Sequence, residues 1–242
     1  MPTTTASYKI TWEKLPDDFP LPDDPVDNID QPTLAAALSE SLEQARRLPE
    51  DVLIATNYGV CATMDGKIVV KAPDWMYVPR ISVSQQEVRR SYTPKLQGEM
   101  PALVMEFLSE TEGSEYSIKP TYPPGKWFFY EQVLRVPQYA IFEPQQGVLE
   151  VYQLNESGRY DLQQPTAGDR YKIEALNLYL GVWQGAKSNR TGYWLRWWDE
   201  SGQMLPWGVE SVEQERQRAE QERQRAEALA AQLRAAGIEP QI

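Results

Sequence analysis

The fold is decided by K-A-P-D-W-M-Y-V-P at residues 71–79 and P-A-L-V-M-E-F-L-S at residues 101–109. Each stretch places one acidic residue, Asp74 or Glu106, in an apolar run that otherwise reads as a buried strand. Burying a lone carboxylate is costly. Two of them on neighbouring strands therefore indicate a shared ligand, most simply a divalent cation with hard oxygen ligands. The alternative interpretation is that both carboxylates point to solvent or pair with arginines.

The composition indicates one sizeable domain with an appendage. The 242 residues are 41% apolar and include eight tryptophans and thirteen tyrosines, enough for a proper core. The sequence has no apolar run long enough to span a membrane, and its first residues lack the charged start and apolar stretch of a signal peptide. We therefore expect a cytoplasmic protein.

The chain contains no histidine and a single cysteine, Cys61. This composition excludes Ser-His-Asp and Cys-His catalysis, histidine metal ligands, cysteine-cluster zinc sites and an intramolecular disulfide. Any hydrolytic chemistry must therefore use carboxylates, lysine, tyrosine and a bound metal.

The net charge of −11 argues against a strong non-specific DNA binder, because such proteins carry a basic patch. The acidity is concentrated in residues 1–30 and 209–242, so the body of the chain is close to balance. A local basic groove therefore remains compatible with the composition. The polar connection 79–100 is either a solvated loop or a phosphate-contacting loop. It contains the candidate members of this groove, which are Arg80, Arg89, Arg90 and Lys95.

Hydrophobic periodicity predicts a first helix, capped by Asp30 or Thr33 and extending through Arg47. Three strand-like runs follow, with a hairpin turn at Asp65-Gly66 between the first two. The predicted fold class is α/β or α+β, with a small mixed sheet flanked by helices. The remaining predicted elements are strands Val52–Thr56, Lys67–Val78 and Ala102–Ser109, helix Lys126–Arg135 and strand Gln138–Phe142.

A β extension is predicted after this unit. A hairpin joins Val148–Leu154 to Arg159–Asp161, and two further strands cover Ala175–Gly185 and Gly192–Trp198. We interpret the four tryptophans between Trp183 and Trp198 as cover for the sheet edge and core, where aromatic residues are favoured. The alternative is a platform for base stacking.

From Val209 the sequence is a charged repeat, E-R-Q-R-A-E-Q at 215–221 followed by E-R-Q-R-A-E-A at 222–228, which predicts a helix ending at Gly237. Along the helix face where a coiled coil would form, only the last part is apolar, so we expect at most a weak coiled coil. Leu229 and Leu233 would be the contact patch of a homo-oligomer such as a dimer. The predicted domains are an extended acidic lead-in (1–31), a central domain with its β extension (32–207) and a charged helical tail (208–242).

Three residues of the central domain would form a hydrolytic centre if their strands and helix are neighbours: Asp74, Glu106 and Lys126. Two carboxylates can bind Mg²⁺ or Mn²⁺, which acidifies a water and neutralises a scissile phosphate, while a lysine stabilises the developing charge. Lys126 and Tyr130 are four residues apart and would share one face of a helix.

The order of these motifs resembles the Uma-type family of restriction endonucleases, which is abundant in cyanobacteria and belongs to the PD-(D/E)XK nuclease superfamily. The similar segments are Pro73-Asp74, Leu103 to Ser109, Lys126 with Tyr130, and V-P-Q-Y-A-I-F-E-P at 136–144. The likeness continues through the β extension into the tail and covers about residues 32–242. It implies a restriction-endonuclease-like core that hydrolyses DNA phosphodiester bonds with Mg²⁺ or Mn²⁺.

The resemblance also implies roles for particular residues, with Asp74 and Glu106 as the metal ligands. The superfamily lysine normally stands two residues after the glutamate, where this chain has Leu108. In Uma-type proteins it is displaced to the next helix, which implies Lys126. The accessory candidates are Glu40 and Glu43 of the first helix, Lys119 as the competing lysine, and Tyr130.

The chain departs from the family pattern at two positions after the lysine helix. Gln138 stands where the family usually has glutamate, and Ala140 stands where it usually has tryptophan. These departures concern activity more than fold. They leave a second interpretation open, a catalytically inactive nuclease-fold protein that acts as a binding or assembly module through its helical tail.

Overall fold

A six-stranded mixed sheet is the centre of the structure, a computed structural model that describes residues 8–16, 19, 30–109 and 114–237. Most of the predicted acidic lead-in lies outside the described residues. The elements are β1 (Ile10–Thr11), α1 (Asp30–Gln44), β2 (Leu53–Ala55), β3 (Val60–Met64), β4 (Lys67–Lys71), β5 (Trp75–Val78), β6 (Leu103–Phe107), α2 (Lys126–Phe128), β7 (Gln138–Glu143), β8 (Val148–Leu154), β9 (Tyr160–Leu162), β10 (Arg170–Ile173), β11 (Leu178–Lys187), β12 (Arg190–Trp198) and α3 (Gly208–Ala235).

The strands of the central sheet lie in the order β2, β5, β6, β7, β8 and β9. Strands β6 and β7 are parallel, and each of the other neighbouring pairs is antiparallel. The parallel pair needs a crossover connection, and α2 lies in it. The predicted fold class, an α+β protein with a mixed central sheet flanked by helices, is confirmed.

The prediction of one strand over Lys67–Val78 is wrong, because the structure divides this run into β4 and β5 in different sheets. Pro73 lies between them, and proline cannot donate to a strand ladder. Strand β4 pairs with β3, which the sequence analysis missed, and β1 pairs with the other side of β3. The turn at Asp65 and Gly66 is confirmed, with φ angles of 50° and 77°, but it joins β3 to β4.

One face of the central sheet packs against the β1-β3-β4 sheet and the segment that follows α2. Side chains alternate along a strand, so Val104 and Glu106 of β6 share this face. A single apolar cluster joins Val104 to Val69 of β4 and to Phe129 after α2. Glu106 therefore projects into an otherwise apolar core.

The opposite face of the sheet packs against α1 and β12. The Nε1–H of Trp75 donates to Ser39 Oγ at 3.0 Å, and that of Trp197 donates to the Leu38 carbonyl at 3.1 Å. The centroids of the two indole rings are 6.0 Å apart. Both indoles are fully buried with their polar atoms satisfied, which identifies this face as a packing surface.

Helix α2 begins at Lys126 and continues as a π-helical turn over Phe129–Leu134. The predicted helix Lys126–Arg135 is confirmed in position, whereas its wider winding was not expected. Arg135 ends the turn with a φ of 53°. Such π-helical turns are rare and occur often at functional sites.

The predicted β extension is divided between two sheets. Strands β8 and β9 complete the central sheet, whereas β10, β11 and β12 form an antiparallel sheet of their own. Trp194, Trp197 and Trp198 are buried, and Trp183 is half-buried against the Arg196 guanidinium at 5.3 Å. Their burial confirms the interpretation as core residues over the base-stacking alternative.

Residues 206–242 form a second compact unit, separate from residues 1–205. Its helix α3 confirms the predicted charged helix, and Gly237, with a φ of 77°, follows its end. Leu229 is 58% exposed on this helix. Within the described ranges, none of the helices combines the length and apolar character that crossing a membrane requires.

Candidate active site

Asp74 and Glu106 lie side by side at the ends of two neighbouring strands. Strands β5 and β6 pair antiparallel with Trp75 opposite Met105 and Met76 opposite Val104. One step further along this register places Asp74 opposite Glu106. Residues directly opposite each other in an antiparallel pair project from the same face, with Cβ atoms roughly 5 Å apart. The predicted pairing of the two carboxylates is therefore what the sheet produces.

The Glu106 carboxylate is fully buried and both of its oxygens accept hydrogen bonds. Oε1 accepts from the Tyr130 hydroxyl at 2.8 Å, and Oε2 accepts from Lys126 Nζ at 3.1 Å. These two donors are one turn apart on the segment that starts with α2. The structure thus brings together Glu106, Lys126 and the accessory candidate Tyr130.

Burial controls the protonation of this cluster. Burial raises the pKa of Glu106 from 4.5 to about 8, with Asp74 adding to the rise and Lys126 and Tyr130 opposing it. Burial alone would lower the pKa of Lys126, but the carboxylates around it outweigh burial and raise that pKa above 10.5. Burial also raises the pKa of Tyr130 well above 10.0, so its hydroxyl remains a donor. At neutral pH and without a metal ion the cluster therefore favours an ammonium group, a phenol and a protonated Glu106 carboxyl group.

Tight packing at the start of α2 fixes the position of Lys126. Gly125 precedes it, and a Cβ at this position would collide with the backbone and side chain of Ser117. The Ser117 carbonyl in turn accepts from the Phe128 amide at 3.3 Å. The segment before α2 is therefore held against the helix, with the Lys126 side chain directed towards Glu106.

Glu115 is a site residue that the sequence analysis missed. It is 2% exposed, and its Oε1 accepts from Lys126 Nζ at 3.4 Å. In the sequence it stands in a polar, proline-bearing segment, E-T-E-G-S-E-Y-S-I-K-P, where neither spacing nor hydrophobicity marks it. Only its ion pair with Lys126 identifies it.

Asp74 is held by the backbone of the strand that carries Glu106. Its Oδ2 accepts from the Phe107 amide at 2.6 Å. The Phe107 carbonyl accepts from Gln31 Nε2 at 2.7 Å. Gln31, in the first turn of α1, is a second residue near the site that the sequence analysis did not identify.

The donor set fits a hard divalent cation. Asp74 and Glu106 offer carboxylate oxygens, and with Glu115 they place three carboxylates around the single ammonium of Lys126. A bound divalent cation would favour the charged form of Glu106, so this set of oxygens suits a cation. In the described part of the chain, no group of three or more His, Cys, Asp or Glu side chains is arranged to hold a metal ion. Mg²⁺ needs fewer, because it commonly uses one or two carboxylates and keeps several waters.

The other accessory candidates lie elsewhere. Glu40 pairs with Lys187 at 2.6 Å, and Glu43 is exposed. Both belong to α1, which covers the Trp75 face of the sheet, opposite to Glu106. Lys119 is exposed, and its backbone carbonyl accepts from the Gly125 amide at 2.9 Å. These contacts favour Lys126 over Lys119 and give the two glutamates no support as metal-site residues.

The members of the predicted basic groove make different contacts, and Arg89 and Arg90 line the same cavity. Arg80 pairs with Asp51 at 3.2 Å. Arg90 donates to the carbonyls of Pro16 and Phe19 and so anchors the segment before α1. Lys95 lies over the ring of Trp12 at 5.3 Å. Arg89 is exposed at a cavity of about 540 Å³ that also borders Lys14, so phosphate contact by these residues stays a prediction.

A family comparison bears on the same segments. The family model Uma2, described as a putative restriction endonuclease, matches residues 20–182, more than half of the chain. The matched range contains Asp74, Glu106, Glu115 and Lys126. A search of curated proteins finds no match.

Proposed function

The chain belongs to the Uma2 family, and on that premise we propose that it is a Mg²⁺- or Mn²⁺-dependent endonuclease that hydrolyses phosphodiester bonds in DNA. The observation that carries this proposal is the register of β5 and β6, which sets Asp74 opposite Glu106. Lys126 contacts the second of these carboxylates from the neighbouring helix. Two carboxylates and a lysine are sufficient for metal-assisted phosphodiester hydrolysis without histidine or cysteine.

In this proposal Asp74 and Glu106 hold the cation. When bound, the cation supplies Lewis-acid neutralisation of the scissile phosphate and acidifies a water. The Phe107 amide holds Asp74 in place, and the Tyr130 hydroxyl does the same for Glu106. Ligands fixed in this way lose little freedom when they bind a metal ion.

Lys126 is the proposed electrostatic catalyst. Its side chain is 19% exposed, so the ammonium group bridges the buried carboxylates and the solvent side from which DNA would approach. There it would donate to a non-bridging phosphate oxygen and stabilise the charge that develops in the transition state. Its raised pKa keeps it cationic for this role.

The proposal is tested by nicking of supercoiled plasmid in Mg²⁺ or Mn²⁺. We expect the unaltered protein to nick the plasmid and chelator to stop it. Asp74→Asn and Glu106→Gln should each reduce the rate by at least about 100-fold, because each removes a metal ligand.

The matched control is Asp161→Asn. Asp161 lies exposed on the edge strand β9, where it accepts from Asn155 at 2.9 Å. This variant loses one negative charge outside the site and should nick at the unaltered rate. Equal nicking by all four proteins would indicate a contaminating nuclease and would contradict the proposal.

A further inference from the structure

Glu115 is a buried carboxylate that the proposed chemistry does not use. Its Oε1 accepts from Lys126 at 3.4 Å and from the Ser114 hydroxyl at 3.0 Å. Its Oε2 is buried and has no hydrogen-bond partner among the described residues. A buried acceptor without a partner costs free energy, so an unused oxygen beside a cationic side chain is informative.

The backbone of Glu115 is fixed to the central sheet. The Tyr139 hydroxyl of β7 donates to the Glu115 carbonyl at 3.0 Å, and both groups are buried. Strand β7 is paired directly with β6, which carries Glu106. The distance between the Glu106 and Glu115 carboxylates is therefore set by the sheet, with the Lys126 ammonium between them.

The ammonium is shared unequally between these carboxylates, at 3.1 Å from Glu106 and 3.4 Å from Glu115. A divalent cation on Glu106 would repel the ammonium and compete for the same oxygens. The lysine must then move to another acceptor or leave for solvent. Glu115 offers that acceptor, since one oxygen is already in contact and the other has no hydrogen-bond partner in the described ranges.

We propose that Glu115 is a positioning residue that retains Lys126 in the site when a divalent cation binds Asp74 and Glu106. Without the Glu115 charge, Glu106 is the remaining carboxylate in contact with the ammonium, and cation and lysine compete for it. Glu115 thereby makes cation binding and lysine positioning compatible. This inference rests on the proposed metal-dependent function.

The test is a double-mutant cycle on cation affinity, measured by titration calorimetry with Mn²⁺ in the absence of DNA. The four proteins are the unaltered chain, Glu115→Gln, Lys126→Met and the double variant. We expect Glu115→Gln to weaken Mn²⁺ binding about 30-fold when Lys126 is present. In the Lys126→Met background it should weaken binding only about 3-fold, because the loss of a nearby charge remains but the competitor is gone.

A fifth protein, Glu115→Asp, keeps the charge and should recover most of the Mn²⁺ affinity that Glu115→Gln loses. Thermal unfolding of each variant verifies that it is folded. Equal fold-changes in the two backgrounds would overturn the inference, because Glu115 would then act only as a charge. If the unaltered chain binds Mn²⁺ but does not nick plasmid, the proposed function is contradicted, and the double-mutant cycle still decides the role of Glu115. If the unaltered chain does not bind Mn²⁺, the proposed function and this inference are both overturned.

Discussion

Acidic and basic side chains meet in contrasting ways around Glu106 and along α3. Around Glu106 they are few and buried, and a single ammonium serves several carboxylates. Along α3 they are many and exposed, and they pair locally, as Glu220 does with Arg223 at 2.9 Å. The two sets of residues are of similar type. Burial raises the pKa of Glu106, whereas along α3 hydrogen bonds from Arg223 and Gln224 lower the pKa of the exposed Glu220.

The difference follows from the dielectric environment. An exposed ion pair gains little, because water and salt screen it. A buried carboxylate keeps its charge only with a partner, so each remaining partner has a large effect. The contrast predicts that substitutions around Glu106 change stability and activity strongly, whereas substitutions along α3 change them little.

The largest effect is expected for Lys126→Met. The substitution leaves Glu106 and Glu115 buried without the Lys126 ammonium, which costs about 3 kcal/mol or more of unfolding free energy. Nicking should also fall by at least about 100-fold through loss of transition-state stabilisation. Urea denaturation and the plasmid assay measure the two effects. A variant as stable as the unaltered protein would show that the buried pairs are not as the structure has them.

The next effect concerns pH. Because the pKa of Glu106 is raised from 4.5 to about 8, the folded protein holds a proton in that interval which the unfolded chain releases. Its contribution to stability is therefore complete below pH 4.5 and is lost as pH rises through about 8. Without metal, we expect a loss on the order of a few kcal/mol between about pH 5 and about pH 8. Denaturation of Glu106→Gln over the same pH interval is the reference. If the stability of this variant fell with pH in parallel with that of the unaltered protein, the assignment of the raised pKa to Glu106 would be contradicted.

A smaller effect is expected for Gly125→Ala. Its backbone angles suit alanine, with φ of −68°, but the added Cβ would collide with Ser117. Overpacking of this kind costs about 1–3 kcal/mol. The backbone movement that relieves this collision also displaces Lys126, so the nicking rate should fall more than the loss of stability alone explains. Gly192→Ala in β12 is the control, because the three atoms nearest to its Cβ would belong to the end of the flexible Arg190 side chain, at 3.2–3.3 Å.

Self-association through α3 stays a prediction, and it concerns a weak interaction. Light scattering of the full chain and of a chain ending at Trp207 compares the masses. We expect a small increase of apparent mass with concentration for the full chain only. Identical monomers would contradict an assembly role for the tail and weaken the interpretation as an inactive module.

The smallest effect is expected for Arg223→Ala, which breaks an exposed pair with Glu220. The melting temperature should change by less than about 2 °C. Nicking should be unchanged. A larger change, seen in a thermal scan, would mean that α3 carries a buried contact and would weaken the contrast with Glu106.

The fold was largely accessible from the sequence because its strongest patterns are local. The alternating or continuous apolar runs of β6, β7 and β8 and the charged repeat of α3 predict their own structure. Strand β3 was missed because the small and polar residues of V-C-A-T-M give no clear apolar run, and its neighbour β4 had been joined to β5 across Pro73. Which strands share a sheet is decided by tertiary pairing, and the sequence of a single strand does not express it.

The candidate site was accessible only in part. Asp74 and Glu106 stand out because each interrupts an apolar run, and Lys126 was proposed from its place on the next predicted helix and supported by the family resemblance. Glu115 and Gln31 carry no such signal, because polar residues in polar segments are ordinary until tertiary structure buries them. For the arginines of the connection 79–100, positive charge alone does not distinguish a phosphate contact from a contact such as that of Arg90 with backbone carbonyls, so their role stays a prediction.

The register of β5 and β6 has a consequence for how related sequences can diverge. An inserted or deleted residue within either strand moves every later side chain to the other face, and Asp74 would then no longer project beside Glu106. Within the connection 79–100, the exposed stretch 84–87 does not enter this register, so its length can change without moving either carboxylate. We therefore expect descendants of this chain to differ in the distance between the two strands while keeping the spacing inside each of them, and gene comparisons along a lineage would show this as length changes confined to the connection.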